Sequence, residues 1–427
     1  MIKRFFIPSV LLLILLSNVY AQQDEVNYDE SKVPNYTLPD PLLTNNGEVI
    51  SSSQDWEKKR RPEIVELFEN EVYGKAPVFP ENLEFKLSSI DTAALDNKAI
   101  RKEIILIIRN NNKELQLSLL IYLPKDGRQK HPLFLGLNFY GNQTICNDEG
   151  ITITNNWIGN IKNVKIINHR ANESTRGIRA HRWQVKYLLS RGYGLATMYY
   201  GDIDPDFYDE FQNGIHPLFY EEGQNKPKPN EWGSIAAWAW GLSRAMDYLE
   251  TDASIDYKKV VVMGHSRLGK TSLWAGALDQ RFAMVISNNS GCGGAALSRR
   301  RFGETLQIIN RVFPHWFCEN FKKYSNNEDN LPVDQHMLIA LVAPRPVYIA
   351  SAEEDRWADP HGEFLSGKNA EPVYKLFGEE GLLIDKMPEV NHPVGDFIGY
   401  HIRSGKHDVT KYDWEQYLNF ADKHFAN

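Results

Sequence analysis

From Lys259 to Trp274 the chain reads Lys-Val-Val-Val-Met-Gly-His-Ser-Arg-Leu-Gly-Lys-Thr-Ser-Leu-Trp, an apolar run that passes through Gly-x-Ser straight into residues suited to a helix. Few folds accept that junction. A strand turning so sharply into a helix strains the backbone of Ser266 and crowds its neighbours, so Gly264 and Gly269 stand where the chain needs small residues. The turn lifts the Ser266 hydroxyl clear of the sheet and sets it at a helix N-terminus. There, free N–H groups and the dipole stabilise an oxyanion, with the N–H of Arg267 as the expected first donor. The usual pattern is Gly-x-Ser-x-Gly, whereas here position 268 is Leu and the glycine comes one residue later. The competing reading is an ordinary serine in a strand-to-helix turn.

The rest of the chain supplies a sheet for such a turn. Residues 133–137, 194–200, 260–263 and 347–350 are uniformly apolar, as in parallel strands covered on both faces, and helical patterns occupy 233–249, 271–278 and 413–424. Residues 83–89, 99–108 and 115–123 alternate apolar with polar, which suits antiparallel strands half exposed on one face. Helical spacing between Asp55 and Tyr73, with Pro62 early and Gly74 after, predicts one more helix. The predicted fold is α/β: an α/β-hydrolase fold with a doubly wound, mostly parallel sheet in a three-layer αβα sandwich. The 427 residues contain no repeat and no Pro/Gly/Ser linker. The expected organisation is therefore a signal peptide over 1–21, an extended N-terminal segment over 22–54 and one catalytic domain over 55–427, with order beginning near Asp55.

A serine nucleophile needs a general base, and the base needs an orienting carboxylate; in this fold they follow in the order Ser, acid, His. After the apolar run 347–350 comes Ser351-Ala352-Glu353-Glu354-Asp355-Arg356-Trp357, where Asp355 is the chosen acid and Glu353 and Glu354 read as solvated loop charges. Of His392, His401 and His407, the last is preferred as base because it stands just before the final helical pattern, on a loop able to reach over the sheet. His401 is the alternative base, or a structural histidine.

Composition bounds the partners. Against 55 Asp+Glu stand 48 Lys+Arg, a net charge of −7, which argues against nucleic-acid binding. Lys3-Arg4, an apolar run from Phe5 to Leu16 and then Val19-Tyr20-Ala21 form the pattern of a cleavable export signal, too short to span a bilayer comfortably. A periplasmic or secreted protein is expected, not an integral membrane one, with an uncleaved anchor as the alternative. Cys146, Cys292 and Cys318 allow at most one disulfide, in any of three pairings. No CxxC and no Cys/His cluster appears, so neither a metal nor a cofactor is expected. Aromatics at 12 % suit stacking on sugar rings as well as they suit a core.

The motif Gly264-His265-Ser266-Arg267-Leu268-Gly269-Lys270 resembles the Gly-Cys-Ser-Arg-x-Gly-Lys of the glucuronoyl esterases, carbohydrate esterase family 15, with His265 in place of Cys. Arg60-Arg61-Pro62-Glu63-Ile64, Arg191-Gly192-Tyr193-Gly194 and Glu231-Trp232-Gly233 extend the resemblance over nearly the whole mature chain, most closely to the bacterial branch. The family cleaves the ester between the carboxyl of glucuronic acid, or its 4-O-methyl form on xylan, and alcohols of lignin. The resemblance implies that Arg267 adds its guanidinium to the oxyanion hole and that Lys270 and Glu304 bind sugar hydroxyls. Lys270, four residues beyond Ser266, falls on the same helix face one turn on. Positive charge at a helix start opposes the dipole, which favours a functional reason for Arg267 and Lys270 over a solvated pair. Trp357 packs on the uronate ring in this reading, with a plain core tryptophan as the alternative. Fungal members carry their acid as Glu in a Glu-Ser-Gly segment; here the matching residue is Asn289, which leaves the role to Asp355. Residues 138–142 occupy the place of a loop that often supplies a second oxyanion donor.

The leading expectation is a monomeric serine esterase that makes a uronoyl-serine intermediate on a uronic-acid-bearing polysaccharide ester. The alternatives are an acetyl xylan esterase or other polysaccharide deacetylase, and a silent sugar-binding protein that keeps the fold.

Overall fold

Val260 and Val262 pack on one side of the central strand while Val261 and Met263 pack on the other, so a single apolar run feeds two separate cores. In this computed structural model, which describes residues 26–425, the same division runs across a ten-stranded sheet. Its strands are β1 (Asn82–Ala93), β2 (Ala99–Asn110), β3 (Lys113–Pro124), β4 (His131–Asn138), β5 (Gly194–Tyr199), β6 (Ile255–His265), β7 (Met284–Asn288), β8 (Val347–Ala352), β9 (Val394–Gly395) and β10 (Ile398–Arg403). Their spatial order is β1-β2-β3-β5-β4-β6-β7-β8-β10-β9. From β5 to β10 every neighbour is parallel, and β1, β2, β3 and the short β9 extend the two ends antiparallel.

Five longer helices cover the sheet: α1 (Arg61–Glu71), α2 (Ser234–Leu249), α3 (Arg267–Leu278), α4 (Pro360–Leu376) and α5 (Lys411–Phe425). The first four pack in the larger core through residues such as Phe68, Trp238, Trp274 and Phe364. On the other face α5 joins the short helix Val185–Ser190 through Trp414, Leu418 and Leu188. This is the three-layer αβα sandwich with a mostly parallel sheet.

Two parallel strands, β7 and β10, were absent from the four apolar runs. Both end on polar residues whose partners lie inside the protein: Asn288 donates to Tyr417 Oη at 2.8 Å, and Arg403 Nε to Asp413 Oδ2 at 2.8 Å. The helix expected over 55–73 forms as a π turn at Trp56–Arg60 that runs into α1. Order begins earlier than Asp55. Residues 26–52 are extended yet pinned: Arg60 Nε donates to the Pro41 carbonyl at 3.2 Å, and His336 Nε2 lies 2.9 Å from the Pro39 carbonyl. The export pattern over 1–21 lies outside the described residues. All three cysteines are free and buried, and burial raises their thiol pKa values. No helix among the described residues is long and apolar enough to cross a membrane.

Candidate active site

The end of β6 forces the local geometry. Ser266 sits at φ 59°, ψ −129°, immediately before α3, with its N–H bonded to the Asn288 carbonyl at 2.9 Å. A Cβ on Gly264 would stand 1.8 Å from the Leu268 carbonyl oxygen, so only glycine fits there. At Gly269 it would meet Ser290 Cβ at 3.0 Å and the Asn288 oxygen at 3.2 Å. This accounts for the shifted second glycine: position 269, not 268, faces the turn after β7, while Leu268 is buried in the large core.

Loops after β6, β8 and β10 then converge. His407 Nδ1 lies 2.6 Å from Asp355 Oδ2, with the carboxylate buried and the imidazole half exposed. Ser266, Arg267, Lys270, Glu304, Asp355, Trp357 and His407, all singled out from sequence, line one cavity of about 330 Å³. Glu353 and Glu354 are exposed. His401 lies inside the sheet instead, with Nε2 3.0 Å from Asp413 Oδ1 and Nδ1 3.0 Å from the Tyr348 hydroxyl. In residues 138–142 the asparagine side chains tie the loop to itself and to neighbouring strands: Asn138 Nδ2 donates to Asn142 Oδ1 at 2.7 Å, its Oδ1 accepts from Gly141 N at 2.8 Å, and Asn142 Nδ2 donates to the Ser118 carbonyl at 2.8 Å.

Charge in the cavity is arranged in two groups. Arg267 is ion-paired with Asp206 and lies over the Trp316 ring at 4.6 Å, while its buried Nε has no hydrogen-bond partner. Asp206 also accepts from Trp316 Nε1 at 2.8 Å and Tyr200 Oη at 2.8 Å, and contacts His315 Nε2 at 3.0 Å. Burial alone would raise its pKa, but His315 and the Arg267 charge outweigh burial and hold the carboxyl well below its usual range. Lys270 donates to the Ser290 carbonyl at 2.5 Å and stands 3.8 Å from Glu304 Oε2. Burial lowers the Lys270 pKa and raises that of Glu304, each partly offset by the other's charge.

Several contributors carried little sign of this in the sequence. Asn289 Nδ2 donates to Asp355 Oδ2 at 2.8 Å, and Phe313 stacks on Trp316 with ring centroids 3.7 Å apart. His265, in the place of the family's Cys, lies against His407 with ring centroids 4.4 Å apart. Burial, and then His407, hold its pKa well below the imidazole range, so this second ring stays neutral. Glu363 is fully buried behind the site, accepting from Ser290 N at 2.8 Å, Gly291 N at 2.9 Å and Ser351 Oγ at 2.6 Å. No cluster of His, Cys, Asp and Glu suited to a metal occurs among the described residues.

Comparison with known proteins meets this geometry. Carbohydrate esterase MZ0003, from an unknown prokaryotic organism, is 54 % identical over 409 residues, spanning 96 % of this chain and 94 % of that protein. The chain belongs to carbohydrate esterase family 15. A solved family 15 structure, described as a promiscuous esterase from a marine bacterial metagenome, superposes with a TM-score of 0.88 at 54 % identity, covering 94 % of this chain and all of that one. The glucuronoyl esterase from Solibacter usitatus gives a TM-score of 0.87 at 49 % identity over 92 % of this chain and 100 % of its own. The sequence model for "Glucuronyl esterase, fungi" matches residues 219–378, which include the Ser266 turn and Asp355 but stop short of His407.

Proposed function

We propose that this chain is an exported serine esterase that hydrolyses the ester between a glucuronic acid carboxyl on a polysaccharide and an alcohol. The carrying observation is the 2.6 Å approach of His407 Nδ1 to Asp355, in a cavity shared with Ser266 on its strained turn. With Nδ1 engaged by the carboxylate, the other ring nitrogen is the base. It takes the Ser266 proton as Oγ attacks the ester carbon. The oxyanion is held by the Arg267 N–H and the guanidinium that Asp206 and Trp316 fix. Collapse breaks the ester bond, and the departing alkoxide takes the proton from His407. Water, deprotonated by the same histidine, then attacks the acyl carbon and releases the uronic acid and free Ser266.

Substrate class is supported by three further residues of the same cavity. Buried Lys270 and Glu304 and the exposed Trp357 offer a donor, an acceptor and a flat apolar face, the needs of a hydroxylated ring rather than of a small acetyl group. The relative from Schizophyllum commune, 28 % identical over 87 % of this chain, is named a 4-O-methyl-glucuronoyl methylesterase. Export rests on the pattern of residues 1–21. The test is the initial rate on methyl or benzyl glucuronate beside a simple acetyl ester, with Ser266→Ala as blank. A strong preference for the uronate ester is expected. Preference for acetyl would make this a deacetylase, and full activity in Ser266→Ala would end the serine mechanism.

A further inference from the structure

Two substrate-facing residues stand on separate loops that touch. Glu304 N donates to the Trp357 carbonyl at 3.0 Å, and Gly303 lies so close that a Cβ would stand 2.5 Å from that oxygen and 2.6 Å from the Arg356 oxygen. Behind them, Arg300 Nε donates to Asp359 Oδ2 at 2.8 Å, and Asp359 caps the first turn of α4 through Gly362 N at 3.0 Å. The positions of Glu304 and Trp357 are thus set together.

A third strand of chain lies across this junction, and it comes from the far end of the sequence. Gly303 N donates to the Asn27 carbonyl at 2.9 Å. The Tyr28 ring meets Phe302 edge-on at 6.1 Å, and the Arg356 guanidinium lies over both rings, at 5.3 Å from Tyr28 and 5.7 Å from Phe302. Glu30 accepts from Arg300 Nη2 at 2.7 and 2.9 Å and lies 3.3 Å from His361 Nδ1. Residues 27, 28 and 30 therefore grip both loops, one through Gly303, Phe302 and Arg300 and the other through Arg356 and His361. None of the three lines the cavity.

We propose that residues 27–30 form a strap that positions Glu304 and Trp357 for the sugar ring, making the N-terminal segment part of the specificity of the site. This rests on the reading of Glu304 and Trp357 as sugar contacts. The strap lies outside the chemistry at Ser266, so its loss weakens capture of a uronate ester and leaves an acetyl ester, which needs neither contact, unaffected.

The experiment compares Tyr28→Ala/Glu30→Gln, Glu304→Gln and the combination of all three on methyl glucuronate and on an acetyl ester, in the full chain. The strap variant is expected to raise KM on the uronate about tenfold, with kcat on the acetyl ester within about twofold. Added to Glu304→Gln, it should raise KM by much less than it does alone, because residues that act as a unit are not additive. Tyr28→Phe, which keeps the ring, should restore the wild-type KM. A raised KM in Glu304→Gln with an unchanged one in the strap variant overturns the strap alone. An unchanged KM in both overturns the sugar-contact reading and the strap with it. An equal fall on both esters would reduce the segment to a general support and overturn the proposal.

Discussion

Asn289 donates its side-chain N–H to Oδ2 of Asp355 at 2.8 Å, the same oxygen that faces His407. Where the fungal pattern has a carboxylate, this chain has a donor that holds the carboxylate of another loop. Its backbone lies at φ 47°, which glycine also tolerates. Asn289→Gly should therefore fold normally and lower kcat about tenfold on uronate and acetyl esters alike, because the acid loses an orienting bond. Steady-state kinetics on both esters, with KM unchanged, would check this. A wild-type kcat would remove Asn289 from the account.

Asp206 is expected to act on rate through Arg267. Asp206→Asn keeps the shape of the pocket but removes the charge that fixes the guanidinium, and kcat should fall about tenfold. Arg267→Lys should lose about a hundredfold, since an ammonium cannot keep both the ion pair and the forked donation to an oxyanion. Equal rates in Arg267→Lys and the parent enzyme would show that the guanidinium plays no part.

The two C-terminal histidines should separate cleanly. His407→Ala should lose nearly all turnover with little change in Tm. His401→Leu should do the reverse: kcat within about twofold, and about 2–4 kcal/mol less stability, because the Tyr348 hydroxyl loses its partner and Asp413 keeps only part of its hydrogen bonding. Urea unfolding beside kinetics distinguishes them.

Glu363 sets a pH dependence of stability. Burial pushes its carboxyl from 4.5 up to about 8, so the folded protein holds a proton there that the unfolded chain releases. The stabilisation is fully present below about pH 4.5 and is lost as pH rises towards 8. Glu363→Gln keeps an oxygen for the Ser290 and Gly291 N–H groups and cannot titrate. Relative to the parent, its Tm should therefore gain between pH 5 and 8, by several degrees. Parallel Tm profiles would show that Glu363 is ionised throughout.

Residues with one dominant local requirement were legible in the sequence. Gly264, Ser266 and Gly269 obey a steric rule within a few residues, and the apolar runs of β4, β5, β6 and β8 need only cover on two faces. What escaped depends on partners far along the chain. β10 carries His401, left in the sequence as an alternative base or a structural histidine, and Arg403; their common partner Asp413 lies ten and more residues further on. α4 contains Pro372, which argues against a helix on local grounds. Asp206 sits in an acidic loop with nothing to mark it, and its pairing with Arg267 appears only once the two are brought together in space. His265 showed as a departure from the family motif; its contact with His407 needed the loop after β10.

Trp357 is 40 % exposed at the cavity rim, and every other tryptophan of the ten is buried or half-buried. Of the two indoles that line the cavity, Trp316 is buried and Trp357 is the one that water reaches, so its surroundings change most when water leaves. The emission of the whole protein thus carries an optical record of occupancy: a ligand covering that ring shifts a minor, red component towards the blue over the background of the buried indoles. With Ser266→Ala to stop turnover, affinities for uncoloured sugars can be read from the unlabelled enzyme.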